Sequence, residues 1–202
     1  MSAESIEYAI YSNLFLYINT IGFVPDGPLG KKQTLGEFIK TMQFYSYVHI
    51  RAVNKTDKTE VLYMFLVDDN TVTKTASFKK FISLIGEKKA HMIVVSNTPI
   101  SAPVRKFLSA DGKNKIQSFT GLDFSLFKTD ITNNVMVPKH SICSSEEMKQ
   151  IMEDNGIDDP MHFPKIKPDD AQVLILGGKP GQLVKIIRRD VTGSYPYYRV
   201  IY

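Results

Sequence analysis

Leu183-Val-Lys-Ile-Ile187 presents apolar side chains to both faces of a strand, with Lys185 the one exception, so any fold of this chain has to cover that strand on two sides. The strand sits inside the stretch from Leu176 to Asp190, which has three glycines ahead of the apolar run and two arginines behind it. A phosphate loop fits poorly here. Such a loop needs four residues between its first glycine and a Gly-Lys-Ser/Thr, and it hands the phosphates to a helix N-terminus. Gly178-Lys179 is instead followed by Pro180 and then by residues with strand character. With Tyr195 to Ile201 as a second strand, Asp190-Val-Thr-Gly-Ser194 becomes a hairpin turn with glycine at its bend.

The hairpin belongs to a short second domain, residues 137–202, which opens at Val137-Pro-Lys-His140. Ser144 and Glu147 have capping-box spacing for a helix that ends near Gly156, and the Pro- and Asp-rich stretch Asp158 to Asp170 reads as irregular. About 65 residues make a small core, so part of the apolar surface of this domain is expected to belong to an interface.

The first 136 residues alternate helices and strands. Ile6, Ile10, Leu14, Tyr17 and Ile21 form a helical stripe that Gly22 and Pro25 stop. Thr34 and Glu37 are spaced as a capping box for a second helix. Tyr47 to Val53 and Glu60 to Val67 read as two strands joined at Asn54-Lys-Thr-Asp57, and Phe78, Phe81, Ile82 and Ile85 mark a helix leading into the strand His91 to Val95. Ser101 is placed to cap a helix with Pro103 in its first turn and Val104, Phe107 and Leu108 inward. This pattern predicts an α/β domain.

Composition narrows the class. The chain has 202 residues, 43% of them hydrophobic, and can bury a sizeable core. One cysteine, Cys143, closes no intramolecular disulfide and the N-terminus lacks a signal-sequence pattern, so an intracellular setting is expected. The longest purely apolar run, Val61 to Val67, is seven residues, against roughly 20 for a bilayer span.

The net charge of +4 is unevenly placed. Residues 74–115 carry nine basic side chains against Glu87 and Asp111, a balance of +7, while residues 137–202 balance nine against nine. A local basic run is what a face toward a polyanion requires, and a solvated helix face is the plain alternative.

Other constellations are weak. A restriction-type nuclease site needs carboxylates that share a metal and a lysine beside the attacking water. Pro25-Asp26, Glu87-Lys-Lys89 and Asp111-Gly-Lys113 match in composition, but Asp26 falls in a turn and neither triplet falls within a predicted strand. His49, His91, His140 and His162 lack metal-ligand spacing, and Cys143 has no nucleophile setting, so no metal, cofactor or catalytic residue is expected. Tyr195, Tyr197 and Tyr198 near Arg188, Arg189 and Arg199 suggest either a stacking platform for single-stranded nucleic acid or packing within the hairpin, and the zero net charge favours packing.

Five ordered pieces carry a family resemblance: Val137-Pro-Lys-His140, the helix with Glu146 and Glu147, Phe163-Pro-Lys-Ile166, Gly181-Gln-Leu-Val-Lys-Ile-Ile-Arg188 and Tyr198-Arg-Val200. Together they resemble the C-terminal half of the fifth subunit shared by the eukaryotic nuclear RNA polymerases, and the small archaeal RNA polymerase subunit that is its counterpart. The N-terminal part resembles the eukaryotic subunit's jaw domain in Met92-Ile-Val-Val95, Thr98-Pro99, Ser101-Ala102 and Asp130-Ile-Thr132. Two departures stand out. Ile100 lies inside the Thr-Pro-Ser-Ala motif, and the turn after Arg188 is one residue shorter than in cellular members. Leu176-Gly-Gly178 looks more like copies carried by large DNA viruses.

The resemblance implies a non-catalytic polymerase subunit with a restriction-nuclease-like α/β jaw, residues 1–136, and a small α+β assembly domain, residues 137–202. It implies docking on the largest polymerase subunit, contacts with other polymerase subunits and with downstream duplex DNA, no membrane association and no obligate homo-oligomer. Nuclear localisation follows for a cellular member, and a cytoplasmic viral factory and the virion for a viral one. The candidates facing DNA are Lys79, Lys80, Lys88, Lys89, Thr98, Ser101, Arg105 and Lys106. Those for assembly are Pro138, His140, Pro164, Gly181, Val184, Ile186, Arg188, Tyr198 and Arg199.

Overall fold

Helix α1 (Ala3–Thr20) follows from its stripe: Ile10, Leu14 and Ile18 are fully buried, whereas Ile6, at the start of the stripe, is 36% exposed. Gly22, at φ 87°, turns the chain into β1 (Phe23–Pro25), an edge strand where Pro25 leaves no ladder donor missing. The computed structural model describes residues 3–86, 90–110, 116–128, 136–191 and 193–202. They fall into two units, residues 1–129 and 130–202.

In the first unit, α2 (Leu35–Tyr45) starts at the expected capping box. The Glu37 N–H donates to Thr34 Oγ1, and the Thr34 N–H donates to a Glu37 carboxylate oxygen at 2.8 Å. The hairpin of β2 (Tyr47–Asn54) and β3 (Val61–Val67) follows, its connection held by Asn54 Oδ1, which accepts from the Thr56 N–H at 2.9 Å. Next come α3 (Asp69–Val72), α4 (Thr75–Leu84), β4 (Ala90–Ser96), α5 (Ala102–Ala110), β5 (Ile116–Asp123) and α6 (Ser125–Lys128). The five strands form one mixed sheet in the order β1-β2-β3-β4-β5, antiparallel up to β3 and parallel beyond it.

The parallel half explains the helix placement. Parallel neighbours need crossovers, and successive right-handed crossovers moving one way along a sheet leave their helices on the same face. Phe78 and Phe81 of α4 and Val104 and Leu108 of α5 accordingly share one core with Tyr63, Phe65, Met92 and Val94. Every residue of β3 is buried, so Leu62, Met64 and Leu66 are covered on the opposite face. That face is left to α1, against which α2 and α6 both pack.

Four elements here escape the sequence pattern: β1, α3 and α6 are too short to show a period, and β5 has polar Gln117, Ser118, Thr120 and Asp123 with Gly121 inside it. The cap expected at α5 differs too. Ser101 supplies its backbone carbonyl to the Arg105 N–H at 3.0 Å, but its hydroxyl is enclosed without a partner. Pro103 has removed one of the N–H groups that a cap would serve.

The second unit holds β6 (Lys139–Ile142), α7 (Ser145–Asp154), β7 (Lys165–Ile166), α8 (Ala171–Leu176), β8 (Leu183–Asp190) and β9 (Gly193–Ile201). Its sheet runs β6-β8-β9-β7, with β7 parallel to β9 and the other pairs antiparallel. The Ser144–Glu147 capping box starts α7 as expected. The stretch Asp158 to Asp170, read as irregular, contains a 3-10 turn at Pro160–His162 and the two-residue strand β7.

The two-sided strand is covered from within. Val184 and Ile186 pack with Ile166, Val173 and Ile201 on one face. Leu183 packs on the other with Cys143, Phe163 and Val200, backed by Met148 and Ile151 of α7. The expectation that a partner surface supplies this cover is corrected: α8, six residues and too short to reveal a period, provides Val173 instead. The glycines of the opening stretch end that helix. Gly177, at φ 66°, donates to the Leu174 carbonyl and the Gly178 N–H reaches Val173 O at 2.9 Å, a Schellman closure. A Cβ on Gly178 would lie 2.7 Å from Ile201 Cδ1 and 2.9 Å from Val173 Cγ1, so any larger residue there would have to displace buried core side chains.

Candidate nucleic-acid and assembly surfaces

The carboxyl end of β4 delivers the chain into Asn97–Ser101, where a small set of side chains fixes the loop. Thr98 Oγ1 donates to Asp69 Oδ1 at 2.7 Å, and Ser96 Oγ donates to the Thr98 carbonyl at 2.8 Å. Arg105 Nε donates to the Ile100 carbonyl at 3.2 Å, tying the first turn of α5 back to the loop. A cavity of about 150 Å³ remains between Thr98, Ile100, Arg105, Gly121 and Asp123. Neither hydroxyl of the candidate pair is free for a ligand: that of Thr98 is bound to Asp69 and that of Ser101 is enclosed.

Lys79 and Lys80 on α4, and Arg105 and Lys106 on α5, are all exposed. The Lys79 amine lies 5.8 Å from the ring centroid of Phe107 on α5, so the two helices bring Lys79 to the α5 side. Neighbouring helical residues diverge by about 100°, so Lys80 cannot share the direction of Lys79, nor Lys106 that of Arg105. Lys88 and Lys89 lie outside the described residues, as do the Glu87 and Asp111 triplets and Asp130-Ile-Thr132. A wider cavity of about 590 Å³ adjoins Tyr11, Lys31, Lys32, Gln33, Lys40 and His49. A count over residues 1–73, six basic against eight acidic, hides that local group of lysines.

The remaining nuclease candidate has another role. The Asp26 carboxylate pairs with the Arg51 guanidinium, while the Asp26 N–H donates to the Arg51 carbonyl, linking β1 to β2. Among the described residues no group of three or more His, Cys, Asp or Glu could hold a metal ion. Burial lowers the pKa of His49, whose ring stacks on Phe65 at 5.5 Å. His91 Nδ1 and Ser118 Oγ lie 2.7 Å apart, and His140 Nδ1–H donates to the Pro138 carbonyl at 2.7 Å. Burial raises the pKa of the Cys143 thiol, Glu147 raises it further and Lys185 opposes both. A raised thiol pKa disfavours the nucleophilic thiolate.

The assembly candidates separate by environment. Val184 and Ile186, 0% and 4% exposed, belong to the core; no partner can touch them while the unit is folded. Pro164 and Gly181 act through the backbone: the Pro164 carbonyl accepts from the Val200 N–H, and Gly181, at φ 87°, donates to the Ile201 carbonyl. The Tyr198 ring meets Phe163 edge-on at 6.3 Å. Pro138 is exposed, and His140, Arg188 and Arg199 are partly so. Arg188 lies 4.2 Å over the Tyr197 ring, and Arg199 lies 5.5 Å from the same ring centroid. Of the hairpin tyrosines, Tyr197 therefore packs with Arg188 and Arg199 and Tyr198 packs with Phe163, while Tyr195 is exposed.

The zero balance of this unit conceals a segregation. Its strands carry Lys139, Lys165, Lys185, Arg188, Arg189 and Arg199 against Asp190 alone. The carboxylates of Glu146, Glu147, Glu153, Asp154, Asp158, Asp159, Asp169 and Asp170 lie on α7, in the turns and at the start of α8.

A four-stranded antiparallel-rich sheet with one short helix for each core, ending in a cationic hairpin, defines a small α+β domain joined to an α/β unit. The family described as RNA polymerase Rpb5, C-terminal domain, matches residues 129–201, nearly the whole second unit. The chain is 42% identical over 80 residues to the DNA-directed RNA polymerase subunit Rpo5 of Pyrococcus horikoshii, covering 39% of this chain and 90% of that one. It is 37% identical over 75 residues to Rpo5 of Archaeoglobus fulgidus, covering 37% of this chain and 97% of that one. A similarity of 28% over 153 residues links it to the subunit rpabc1 of DNA-directed RNA polymerases I, II and III in Dictyostelium discoideum, covering 73% and 75% of the two chains. A 153-residue match is longer than the second unit and extends into the first. The chain belongs to the Rpb5/Rpo5 family of DNA-directed RNA polymerase subunits.

Proposed function

We propose that the chain is a non-catalytic subunit of a multisubunit DNA-directed RNA polymerase, with residues 137–202 docking on the largest subunit and residues 1–136 forming a jaw toward downstream duplex DNA. The observation that carries this reading is the match of nearly the whole second unit to the polymerase-subunit family. A jaw of restriction-nuclease type, without its chemistry, agrees with a mixed five-stranded sheet flanked by helices and with an Asp26 carboxylate held by Arg51. The exposed cations of α4 and α5 are suited to contacts with phosphates, which position a duplex without reading its sequence.

The subunit acts where its polymerase acts, in the nucleus for a cellular enzyme or in a viral factory for a viral one. Among the described residues no helix is long and apolar enough to cross a membrane. A free-standing DNA-binding protein would hold duplex tightly alone. A polymerase component needs only weak affinity, because assembly supplies the effective concentration.

The test is co-purification of the tagged chain with its polymerase from the native source. The full chain is expected to bring the largest subunit with it, and the chain lacking residues 130–202 to bring none. Full yield without those residues would move the docking site elsewhere. Divalent-metal cleavage of plasmid DNA by the purified chain would overturn the non-catalytic reading.

A further inference from the structure

Between α1, α2, the turn after β1 and the edge of β2, the first unit holds the cavity of about 590 Å³, a volume in the range of small-molecule sites. β1 pairs with β2 no further than Pro25 with Ala52, and the next bond, from the Asp26 N–H to the Arg51 carbonyl, shows that Arg51 directs its backbone groups to this edge. Backbone direction alternates along a strand, so His49 turns its own N–H to the same edge, where no strand lies beside it. Tyr11, 1% exposed, also lines the cavity. Its hydroxyl oxygen accepts from the Gln33 N–H at 3.0 Å, and among the described residues the hydroxyl proton has no acceptor. Burial raises the Tyr11 pKa, so that proton is retained.

Charge gives the cavity its sign. Lys31, Lys32 and Lys40 line it, and none of their amines makes a hydrogen bond or ion pair among the described residues. The carboxylate among the lining residues is that of Glu37, already engaged by the Thr34 N–H at 2.8 Å and the Thr34 hydroxyl at 2.9 Å. Three lysines against one glutamate leave a balance of +2. We propose that this cavity binds a phosphate group, carried by a free phosphorylated molecule or by a nucleic acid, with the lysine amines, the Tyr11 hydroxyl and the His49 N–H as its donors. A phosphate group near neutral pH bears a charge of about −2 on oxygens that act as strong acceptors, which matches both the balance and the donors. A single carboxylate leaves part of that charge unmatched, and a divalent cation is repelled by it.

Lysines on a plain surface diverge into water and serve solubility. These three instead border one concavity whose wall carries two further donors, on Tyr11 and His49, that have no acceptor among the described residues. The site shares no residue with the cations of α4 and α5 or with the second unit, so it is independent of the polymerase reading.

The experiment titrates the purified full chain with inorganic pyrophosphate and, separately, with a short DNA duplex, at constant ionic strength. Pyrophosphate is expected to bind the parent, and Lys32→Glu with Lys40→Glu to weaken that binding at least about tenfold. Lys58→Glu with Lys179→Glu makes the same charge change at exposed positions outside the cavity and should leave the affinity within about twofold of the parent, because salt screens distant charges. Tyr11→Phe removes a donor without removing a charge, so it should weaken pyrophosphate binding several-fold with the salt dependence unchanged. Thermal midpoints without ligand show which variants fold, and if Tyr11→Phe does not, the exposed lysine pair still decides. The duplex separates the two sources of phosphate. Equal duplex affinity in the Lys32–Lys40 variant and its charge-matched control assigns the cavity to a free phosphorylated ligand, and a loss beyond the control assigns it to nucleic-acid phosphates. A parent that does not bind pyrophosphate, or a Lys32–Lys40 variant that binds it as the control does, overturns the proposal and leaves the subunit reading untouched.

Discussion

Thr98 donates its hydroxyl to Asp69 at 2.7 Å across 29 residues of chain, joining the loop after β4 to the first turn of α3. The hydroxyl expected to face DNA thus fastens the motif's own loop. Thr98→Val and Asp69→Ala are each expected to cost about 1 kcal/mol, since both groups remain near water. A double-mutant cycle by urea unfolding should give a coupling of about 0.5 kcal/mol or more. Strict additivity would show that the two side chains do not interact.

Arg105 and Lys106 are both exposed on α5, and whichever of the two meets a phosphate should leave a salt signature. In the assembled polymerase, Arg105→Glu with Lys106→Glu should shorten the lifetime of the elongation complex most at low salt, the difference narrowing as salt rises. Each phosphate contact removed lowers the salt slope by about 0.9. Lys55→Glu with Lys58→Glu, outside the basic run, is the control. Identical lifetimes for parent, variant and control at every salt concentration would leave the run as a solvated surface.

Ile186 is 4% exposed within a core that includes Val173 and Ile201. Ile186→Asp places an unpaired carboxylate there and should destabilise the chain by several kcal/mol. The readout is the unfolding midpoint of the chain alone, before any partner is added. A midpoint equal to that of the parent would show that Ile186 is on the surface.

His49 stacks on Phe65, and burial holds its pKa below the ordinary value near 6.5. In the pH range between the lowered folded value and 6.5 the unfolded chain binds the extra proton, so stability falls as pH falls. His49 therefore contributes stability that is complete above about pH 7 and declines through about pH 6 and below. Thermal midpoints measured from pH 8 to about 5 should fall more steeply for the parent than for His49→Gln. Parallel curves would mean that His49 titrates alike in both states.

Local chemistry settled what the sequence by itself could settle. Capping boxes at Thr34–Glu37 and Ser144–Glu147 and the strands at Tyr47, Val61, His91 and Leu183 are written in spacings of a few residues, because they depend on backbone hydrogen bonds and on which face a side chain takes. The family was legible for the same reason, through ordered short motifs that recur within one small domain. Tertiary structure decided the rest. Two-residue β7, six-residue α8 and the polar strand β5 have no period of their own and exist through long-range packing. Only their placement shows that Ile186 is sealed inside the unit, that the Thr98 hydroxyl is bound to Asp69, and that a domain of zero net charge separates a cationic sheet from acidic helices and turns. A charge sum along a chain carries no direction, and direction was what the fold supplied.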